Sequence, residues 1–327
     1  MSITLIWRTD VHLADKGPRT RTDDYAAALL DKLSQVGEIA RKTGAVAVVD
    51  GGDFFHIKSP WKTSHDLLRR VMDVHREYPC PVYANVGNHD CVYGDLAYLH
   101  QQPLGVLFTA GVFERLYDSH EFLCEKDGIK VRVVGVPYHG DKYDWDRMRA
   151  IKKRDGEFLV VALHLYATPG PNTTMFGSED VVGYDFLRDE MDADLFLFGH
   201  WHKDQGVSQI APGRFVVNTG SLSRGSLSEE HADRNPCAVQ LDFTTSGVRI
   251  LRHDLKVLPF TEAFDSFDRD RNQGVEQVRE GFTEMLKSWL VLNDEGAGKS
   301  LEDRVREMPL SASVKEKALL YLENTHK

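Results

Sequence analysis

The stretch AVAVVDGGDFFH, residues 45–56, decides how the rest of this 327-residue chain is interpreted. Its apolar run 45–49 predicts a buried strand, and Gly51 and Gly52 end that strand. In α/β proteins the carboxyl ends of strands carry the functional residues, so we expect Asp53 at the edge of a sheet. A carboxylate at that position could bridge two metal ions.

Similar strand ends flank this stretch in the first third of the chain. Residues 3–7 predict a strand that ends at Asp10-Val11-His12, and the alternation of side chains along a strand would turn Asp10 and His12 to one side. Residues 82–86 predict a third strand, which ends at Gly87-Asn88-His89-Asp90. The segments between these strands have apolar residues at helical spacing and are predicted to be helices. The alternation of strands with helices predicts an α/β layered fold.

The middle of the chain repeats the pattern of an apolar strand followed by polar residues. Strands are predicted at 131–136, at 158–163 before His164, at 195–198 before Gly199-His200-Trp201-His202, and at 214–217. Residues 238–243 and 248–251 predict a hairpin of a second sheet. From Pro259 the pattern becomes helical and charged. We therefore expect two domains, residues 1–258 and residues 259–327, the second a small helical cap or partner-binding region.

Composition restricts the class of protein. With 42% hydrophobic residues the chain can fill a core. The sequence shows neither a basic leader nor an apolar run of membrane-spanning length, so we expect a cytoplasmic protein with no membrane partner. Four scattered cysteines argue against a disulfide framework and a thiolate zinc site. The net charge of -10 disfavours nucleic acid as a partner unless metal ions and local basic clusters reverse its sign.

Five predicted strand ends together carry residues that bind metals in proteins. They are Asp10 and His12, Asp53, Asn88 and His89, His164, and His200 and His202. Oxygen and imidazole ligands suit Mn²⁺, Fe²⁺ or Zn²⁺, and Mg²⁺ is a further candidate. Two ions about 3.5–4 Å apart need one bridging carboxylate and separate ligands on either side. Asp53 would bridge, Asp10 and His12 would serve one ion, and Asn88 and His164 the other, with one further histidine on each.

Each of these residues has an ordinary structural explanation when it is considered alone. A single histidine at a strand end, such as His164, is most often a turn or capping residue. Residues 87–90 could equally form a turn, because glycine and asparagine tolerate turn conformations. The recurrence at five strand ends favours the metal site, because independent polar residues would not all fall at sheet termini.

The order D-x-H, G-D, G-N-H-D, H, G-H-x-H, from Asp10 to His202, resembles the calcineurin-like metallophosphoesterase superfamily. The resemblance implies a four-layer αββα sandwich with a dinuclear metal site at the strand ends. It implies that one ion is bound by Asp10, His12, Asp53 and His202, and the other by Asp53, Asn88, His164 and His200. It further implies that His89 contacts the scissile phosphate or protonates the leaving oxygen, and that Asp90 orients His89.

Within the superfamily, residues 52–60 resemble the second motif of the SbcD-type DNA repair nucleases, in which some members have a histidine at the position of His56. We therefore expect His56 to take part in catalysis, although a loop histidine that only supports a ligand would look the same. Arg21, Lys58 and Arg224 lie near the motifs and are candidates for contacts with a phosphate backbone. The alternative is an ordinary solvated charged surface.

The resemblance to the repair nucleases also implies partners. Apolar stripes at 275–292 and 314–322 either pack on the parent domain or dock an SbcC-like ATPase subunit, and a homodimer is a further expectation. We expect a manganese-dependent DNA exonuclease or endonuclease acting in DNA repair or recombination. The alternatives are a small-molecule phosphohydrolase, which would use the same site on a nucleotide, cyclic nucleotide or phosphomonoester, and a non-catalytic scaffold.

Overall fold

The computed structural model describes residues 2–18, 20–56, 62–91, 95–175, 179–225 and 234–264. The predicted substrate contact Lys58 lies outside these residues, as do both predicted C-terminal stripes, so these remain predictions. The described chain ends with a one-turn helix at Phe260–Ala263, and Phe264 pairs with Arg21. Residues just beyond the predicted boundary at 258 therefore contact the N-terminal part of the chain.

The described residues form fifteen strands and several helices. The strands are β1 Ile3–Arg8, β2 Ala47–Asp50, β3 Val82–Ala84, β4 Glu114–Arg115, β5 Glu121–Lys126, β6 Ile129–Val136, β7 Glu157–His164, β8 Ala167–Thr168, β9 Thr173–Met175, β10 Glu179–Gly183, β11 Leu195–Gly199, β12 Asp204–Ala211, β13 Arg214–Thr219, β14 Cys237–Thr244 and β15 Gly247–Asp254. The helices are α1 Tyr25–Thr43, α2 His65–Arg76, α3 Pro103–Thr109, α4 Trp145–Arg149 and α5 Tyr184–Asp189, with a 3-10 helix at Leu96–Gln101. No helix in this part of the chain has both the length and the apolar character that crossing a membrane requires.

The strands form two large sheets and one small one. The first sheet has the order β15-β14-β1-β2-β3-β4, and the second has the order β12-β13-β11-β7-β6-β5. The small sheet, β8-β10-β9, is inserted in the chain between β7 and β11. Within the large sheets the central strands β1, β2 and β3 are parallel to one another, as are β6, β7, β11 and β13.

The side chains of the central strands alternate between two cores. Leu5 and Trp7 of β1 lie between the two large sheets together with Ala162 of β7, whereas Ile6 faces the layer formed by α1 and α2. On the far side of the second sheet, Val161 packs in a third core with residues of α4 and α5. Helix, sheet, sheet and helix thus form four layers, as expected for the αββα sandwich, because the central strands of each sheet are buried on both faces.

The predicted hairpin at 238–243 and 248–251 exists, but its assignment to a second sheet was wrong. Strands β14 and β15 are antiparallel, and β14 also pairs with β1, with Leu5 opposite Leu241. Seven of the eight residues of β14 are buried. A strand buried along nearly its whole length needs hydrogen-bond partners on both edges, and β1 supplies the second edge.

Candidate metal centre

The register of the two large sheets brings the predicted ligand loops to one edge of each sheet. In the first sheet Arg8 pairs with Asp50, and Asp50 pairs with Ala84, so β1, β2 and β3 end side by side. In the second sheet Gly199 pairs with His164. The loops that follow these strands are therefore neighbours in space, although their residues are far apart in the chain.

The backbone turns sharply at the ligand positions. Asp10, His12, Asp53 and His200 have φ angles of 54°, 50°, 53° and 83°. A positive φ is uncommon outside glycine, and four of the seven such residues in the described chain are predicted ligands. Asp10 and His12 do face one side, as predicted, because both contribute to one group of neighbouring donor atoms, but the predicted cause, alternation along a strand, was wrong. Strand β1 ends at Arg8, and the left-handed backbone of the following loop directs both side chains.

Two glycines allow the loops to approach each other. Gly52 has a φ of 101°, and a Cβ on this residue would lie 2.6 Å from the backbone nitrogen of Gly87. A Cβ on Gly87 would collide with Oδ1 of Asp53. Both glycines are therefore required for the carboxylate of Asp53 to lie against the loop that carries Asn88 and His89.

Asp53 lies at the centre of the ligand cluster and is 1% exposed. Its Oδ1 accepts a 2.7 Å hydrogen bond from the backbone N–H of His89. Its Oδ2 lies 3.3 Å from Nε2 of His164 and 3.6 Å from Nε2 of His12. One carboxylate oxygen thus faces a histidine from each large sheet, which is the geometry that a bridging ligand needs.

The first group of donor atoms comes from Asp10, His12, Asp53 and His202, all within 4.8 Å of one another. Nε2 of His12 lies 2.8 Å from Nε2 of His202, and Oδ1 of Asp10 lies 3.8 Å and 3.7 Å from these two nitrogens. The hydroxyl of Thr9 donates to Oδ2 of Asp10 at 2.7 Å, and the other oxygen, Oδ1, faces the two histidines.

The second group comes from Asp53, His164 and His200, and Asn88 adjoins it. The Nδ1–H of His164 donates to the carbonyl of Gly51 at 2.9 Å, which directs Nε2 toward Oδ1 of Asn88 at 3.3 Å. Nε2 of His200 lies 3.0 Å from a carboxylate oxygen of Glu179. The two groups share Asp53, as the sequence predicts for a dinuclear site.

Burial and charge set the protonation of these groups. Burial lowers the pKa of His12 well below its usual value, because the charged imidazolium loses its hydration and neighbouring histidines repel it. Burial alone would raise the pKa of Asp53, but the charge of His164 outweighs it and holds this pKa well below the usual range. In the same pair, burial lowers the pKa of His164, yet the negative charge of Asp53 dominates and raises it to about 9.

The donor set fits a pair of divalent cations. Two buried carboxylates, an amide oxygen and four imidazoles converge, and the nitrogens of His12 and His202 approach each other as two ligands of one ion do. We conclude that the clustered residues form a candidate dinuclear site for divalent metal ions, whose identity the geometry leaves open.

His89 and His56 lie beside the first group of ligands. The Nδ1–H of His89 donates to the carbonyl of His56 at 2.7 Å, so Nε2 of His89 is the nitrogen that remains for a substrate. The two rings are stacked, with their centroids 5.3 Å apart. Nδ1 of His56 lies 3.3 Å from Nδ1 of His12, and the three histidines form a further cluster of potential metal ligands.

Asp90 is placed differently from the sequence-based expectation. Its carboxylate accepts hydrogen bonds from the backbone N–H groups of Phe54, Phe55 and Gly87, at 3.3, 3.1 and 3.0 Å. Burial and the charge of Asp53 raise the pKa of Asp90 to about 8. Within the described residues, the hydrogen bond that orients the His89 ring goes to the carbonyl of His56, and Asp90 instead ties together the loops after β2 and β3.

Arg21 and Arg224 line a cavity of about 310 Å³ together with Lys32. The guanidinium of Arg21 pairs with Asp23 at 2.6 Å and donates to the carbonyl of Arg224. Arg224 is 4% exposed and donates to the carbonyl of Leu258. Both side chains therefore have partners within the protein, and their contacts with a phosphate backbone stay a prediction.

Several supporting residues have no signature in the sequence. Thr9 orients Asp10, and the hydroxyl of Tyr25 donates to the carbonyl of His12 at 3.1 Å. Glu179 reaches His200 from the small inserted sheet. Thr9 and Tyr25 are close in sequence to the first motif, whereas Glu179 follows no recognisable motif, so only the three-dimensional structure relates it to the site.

Residues 4–204 match the sequence profile of the calcineurin-like phosphoesterase family. The DNA double-strand break repair protein Mre11 of Archaeoglobus fulgidus is 24% identical in an alignment of 232 residues that covers 67% of this chain and 50% of that protein. This chain therefore spans about half the length of this curated relative.

Two solved structures of phosphatases are among those to which this chain is similar. A dimetal phosphatase from Danio rerio is 14% identical, with a TM-score of 0.49, over 78% of this chain and 99% of that one. The purple acid phosphatase PPD1 from yellow lupin (Lupinus luteus) seeds is 11% identical, with a TM-score of 0.46, over 78% of this chain and 52% of that one.

Proposed function

Because the chain belongs to the calcineurin-like phosphoesterase family, we propose that it is a two-metal phosphodiesterase whose substrate is DNA. The observation that carries the proposal is the position of Asp53, where one carboxylate oxygen faces Nε2 of His12 on one side and of His164 on the other. When bound there, two divalent cations would lower the pKa of an attacking water and neutralise charge on the phosphate.

The proposed ligand sets follow the two groups of donor atoms. Asp10, His12, His202 and the bridging Asp53 would hold one ion. On the other side of Asp53, the ligands would be Asn88, His164 and His200. We propose manganese as the metal, because carboxylate and amide oxygens combined with imidazoles suit Mn²⁺, although Fe²⁺ and Zn²⁺ accept the same set.

His89 has the geometry of a proton donor to the leaving oxygen. Its Nδ1–H is held by the carbonyl of His56, and its backbone N–H is held by Asp53, so its ring has a defined orientation. A proton carried on Nε2 would pass to the leaving oxygen as the phosphorus–oxygen bond breaks. His56 packs against this ring and against His12, which supports its proposed part in catalysis.

DNA is the proposed substrate for two reasons. The histidine at position 56 follows the G-D-F-F segment as in some SbcD-type nucleases, and it lies beside both His12 and His89. The relative from Archaeoglobus fulgidus is a DNA double-strand break repair protein. A role in DNA repair or recombination and a cytoplasmic location belong to the same proposal.

The deciding experiment compares substrates in Mn²⁺. Linear double-stranded, single-stranded and hairpin DNA are incubated beside bis(p-nitrophenyl) phosphate, a nucleoside monophosphate and cyclic nucleotides. We expect cleavage of DNA, with binding that weakens steeply as salt rises. If only the small esters are cleaved, the proposal of DNA is wrong and the substrate is a small molecule. If the protein neither cleaves any of these substrates nor binds metal, it acts as a non-catalytic scaffold.

A partner ATPase is proposed for the C-terminal segment. Phe264 pairs with Arg21, so a truncation should retain residues up to Phe264 and remove those after it. The expected result is loss of co-purification with an SbcC-like ATPase and retained hydrolysis of the chromogenic diester. Partner binding by the truncated chain would contradict this assignment. Sedimentation of both forms tests the proposed homodimer at the same time.

A further inference from the structure

The small sheet inserted between β7 and β11 brings a carboxylate to the metal centre. Glu179 is the first residue of β10, which pairs with β8 and β9. Its Oε1 lies 3.0 Å from Nε2 of His200, and the two side chains are 13% and 9% exposed. Because a carboxylate accepts, the Nε2–H of His200 is the donor in this contact.

This hydrogen bond decides which nitrogen of His200 can bind a metal. A neutral imidazole has one N–H, and with that hydrogen on Nε2 the free lone pair is on Nδ1. We propose that Glu179 is a positioning residue that fixes the tautomer and orientation of His200 for the second ion. This inference rests on the proposed dinuclear centre.

The two histidines of the second group have different hydrogen-bond partners. His164 donates to a neutral backbone carbonyl, that of Gly51, whereas His200 donates to a carboxylate. A carboxylate partner makes the imidazole a more basic ligand, and loss of such partners typically weakens metal binding 10- to 100-fold. Glu179 therefore strengthens the second site without contacting the first.

The side chain of Glu179 is itself held in place. The hydroxyl of Tyr143 donates to the same Oε1 at 3.2 Å and accepts the backbone N–H of Tyr166 at 3.1 Å. The next residue, Asp180, accepts the backbone N–H of Tyr143 at 3.0 Å and pairs with Lys142 at 2.9 Å. The small sheet and the segment 142–143 thus orient the carboxylate before a metal binds.

The test is a titration of the metal-free full-length protein with Mn²⁺, followed by calorimetry and by electron paramagnetic resonance. In calorimetry of Glu179→Ala we expect the affinity of one of the two binding events to fall 10- to 100-fold and that of the other to change less than about threefold. In electron paramagnetic resonance we expect the signal of the spin-coupled Mn²⁺ pair to disappear at limiting metal. Glu179→Gln should restore part of the affinity, because the amide oxygen still accepts the hydrogen bond from His200. The control Glu190→Ala removes an exposed carboxylate that pairs with Arg149, and it should bind both ions as the wild type does.

The outcomes separate this inference from the proposed centre. Unchanged binding of both ions by Glu179→Ala would overturn the inference and leave the dinuclear centre standing. An equal loss at both sites with a lowered melting temperature would also overturn it, since that is the effect of a merely structural residue. A wild-type protein that binds no pair of ions would remove the centre itself, and the inference with it.

Discussion

Replacement of His89 by asparagine tests the chemistry of the site most directly. The backbone N–H of residue 89 still donates to Asp53, and the Nδ2 of asparagine can take over the hydrogen bond to the carbonyl of His56. His89→Asn therefore removes Nε2 with little other change. The metal ligands are untouched, so binding of Mn²⁺ should remain within about threefold of the wild type.

The expected loss depends on the leaving group. A positioned general acid contributes about 10²- to 10⁴-fold, which at 1.36 kcal/mol per tenfold corresponds to about 2.7–5.4 kcal/mol of transition-state stabilisation. Cleavage of DNA expels a strongly basic alkoxide and should lose this whole factor. The nitrophenolate of bis(p-nitrophenyl) phosphate leaves without a proton, so its release should slow by less than about tenfold.

The assay measures single-turnover rates on both substrates with saturating Mn²⁺. His100→Asn is the matched control, because the exposed His100 also bonds through Nδ1 to a backbone carbonyl, that of Ala97. An equal loss on both substrates would show that His89 holds the phosphate and does not deliver a proton. Near-normal cleavage of DNA would refute any catalytic role of His89.

Three further predictions concern the scaffold of the site. Gly87→Ala places a Cβ against the bridging carboxylate and should weaken binding of both ions about 10- to 100-fold in calorimetry, whereas Gly225→Ala, whose Cβ would meet only Oγ of Ser223 at 4.0 Å, should not. Asp50→Asn breaks a fully buried ion pair with Arg8 and should lower the free energy of unfolding by about 3–5 kcal/mol in urea titrations; a loss under about 1 kcal/mol would contradict this. Burial lowers the pKa of His75 below its unfolded value of 6.5, so the unfolded state binds more protons and stability falls as the pH drops below 6.5. His75→Gln should reduce that slope between pH 7.5 and 5.5, and an unchanged slope would assign the titration to other groups.

Local patterns predicted the elements that carry the site. The apolar runs at 45–49 and 195–198 correspond to β2 and β11, because strands buried on both faces are apolar along their length. The N-cap of α1 is also a local feature, because Asp24 accepts a hydrogen bond from the backbone N–H of Ala27, three residues further along the chain. The hairpin of β14 and β15 was predicted, but its sheet was not. A turn signal specifies which strands are adjacent in the chain and carries no information about the long-range partner β1.

The chain order of Asp10, Asp53, Asn88, His164 and His200 by itself determined the family and the candidate ligands, because motif residues and their positions after apolar strands are local properties. The tertiary structure decided what these residues contact. It assigned the carboxylate of Asp90 to backbone N–H groups, although its neighbour His89 is adjacent in sequence. It also brought Glu179 to His200 through a sheet that no motif marks. The physical reason is that a hydrogen bond depends on distance and direction at the scale of an ångström, and these are set by long-range packing and register rather than by sequence spacing.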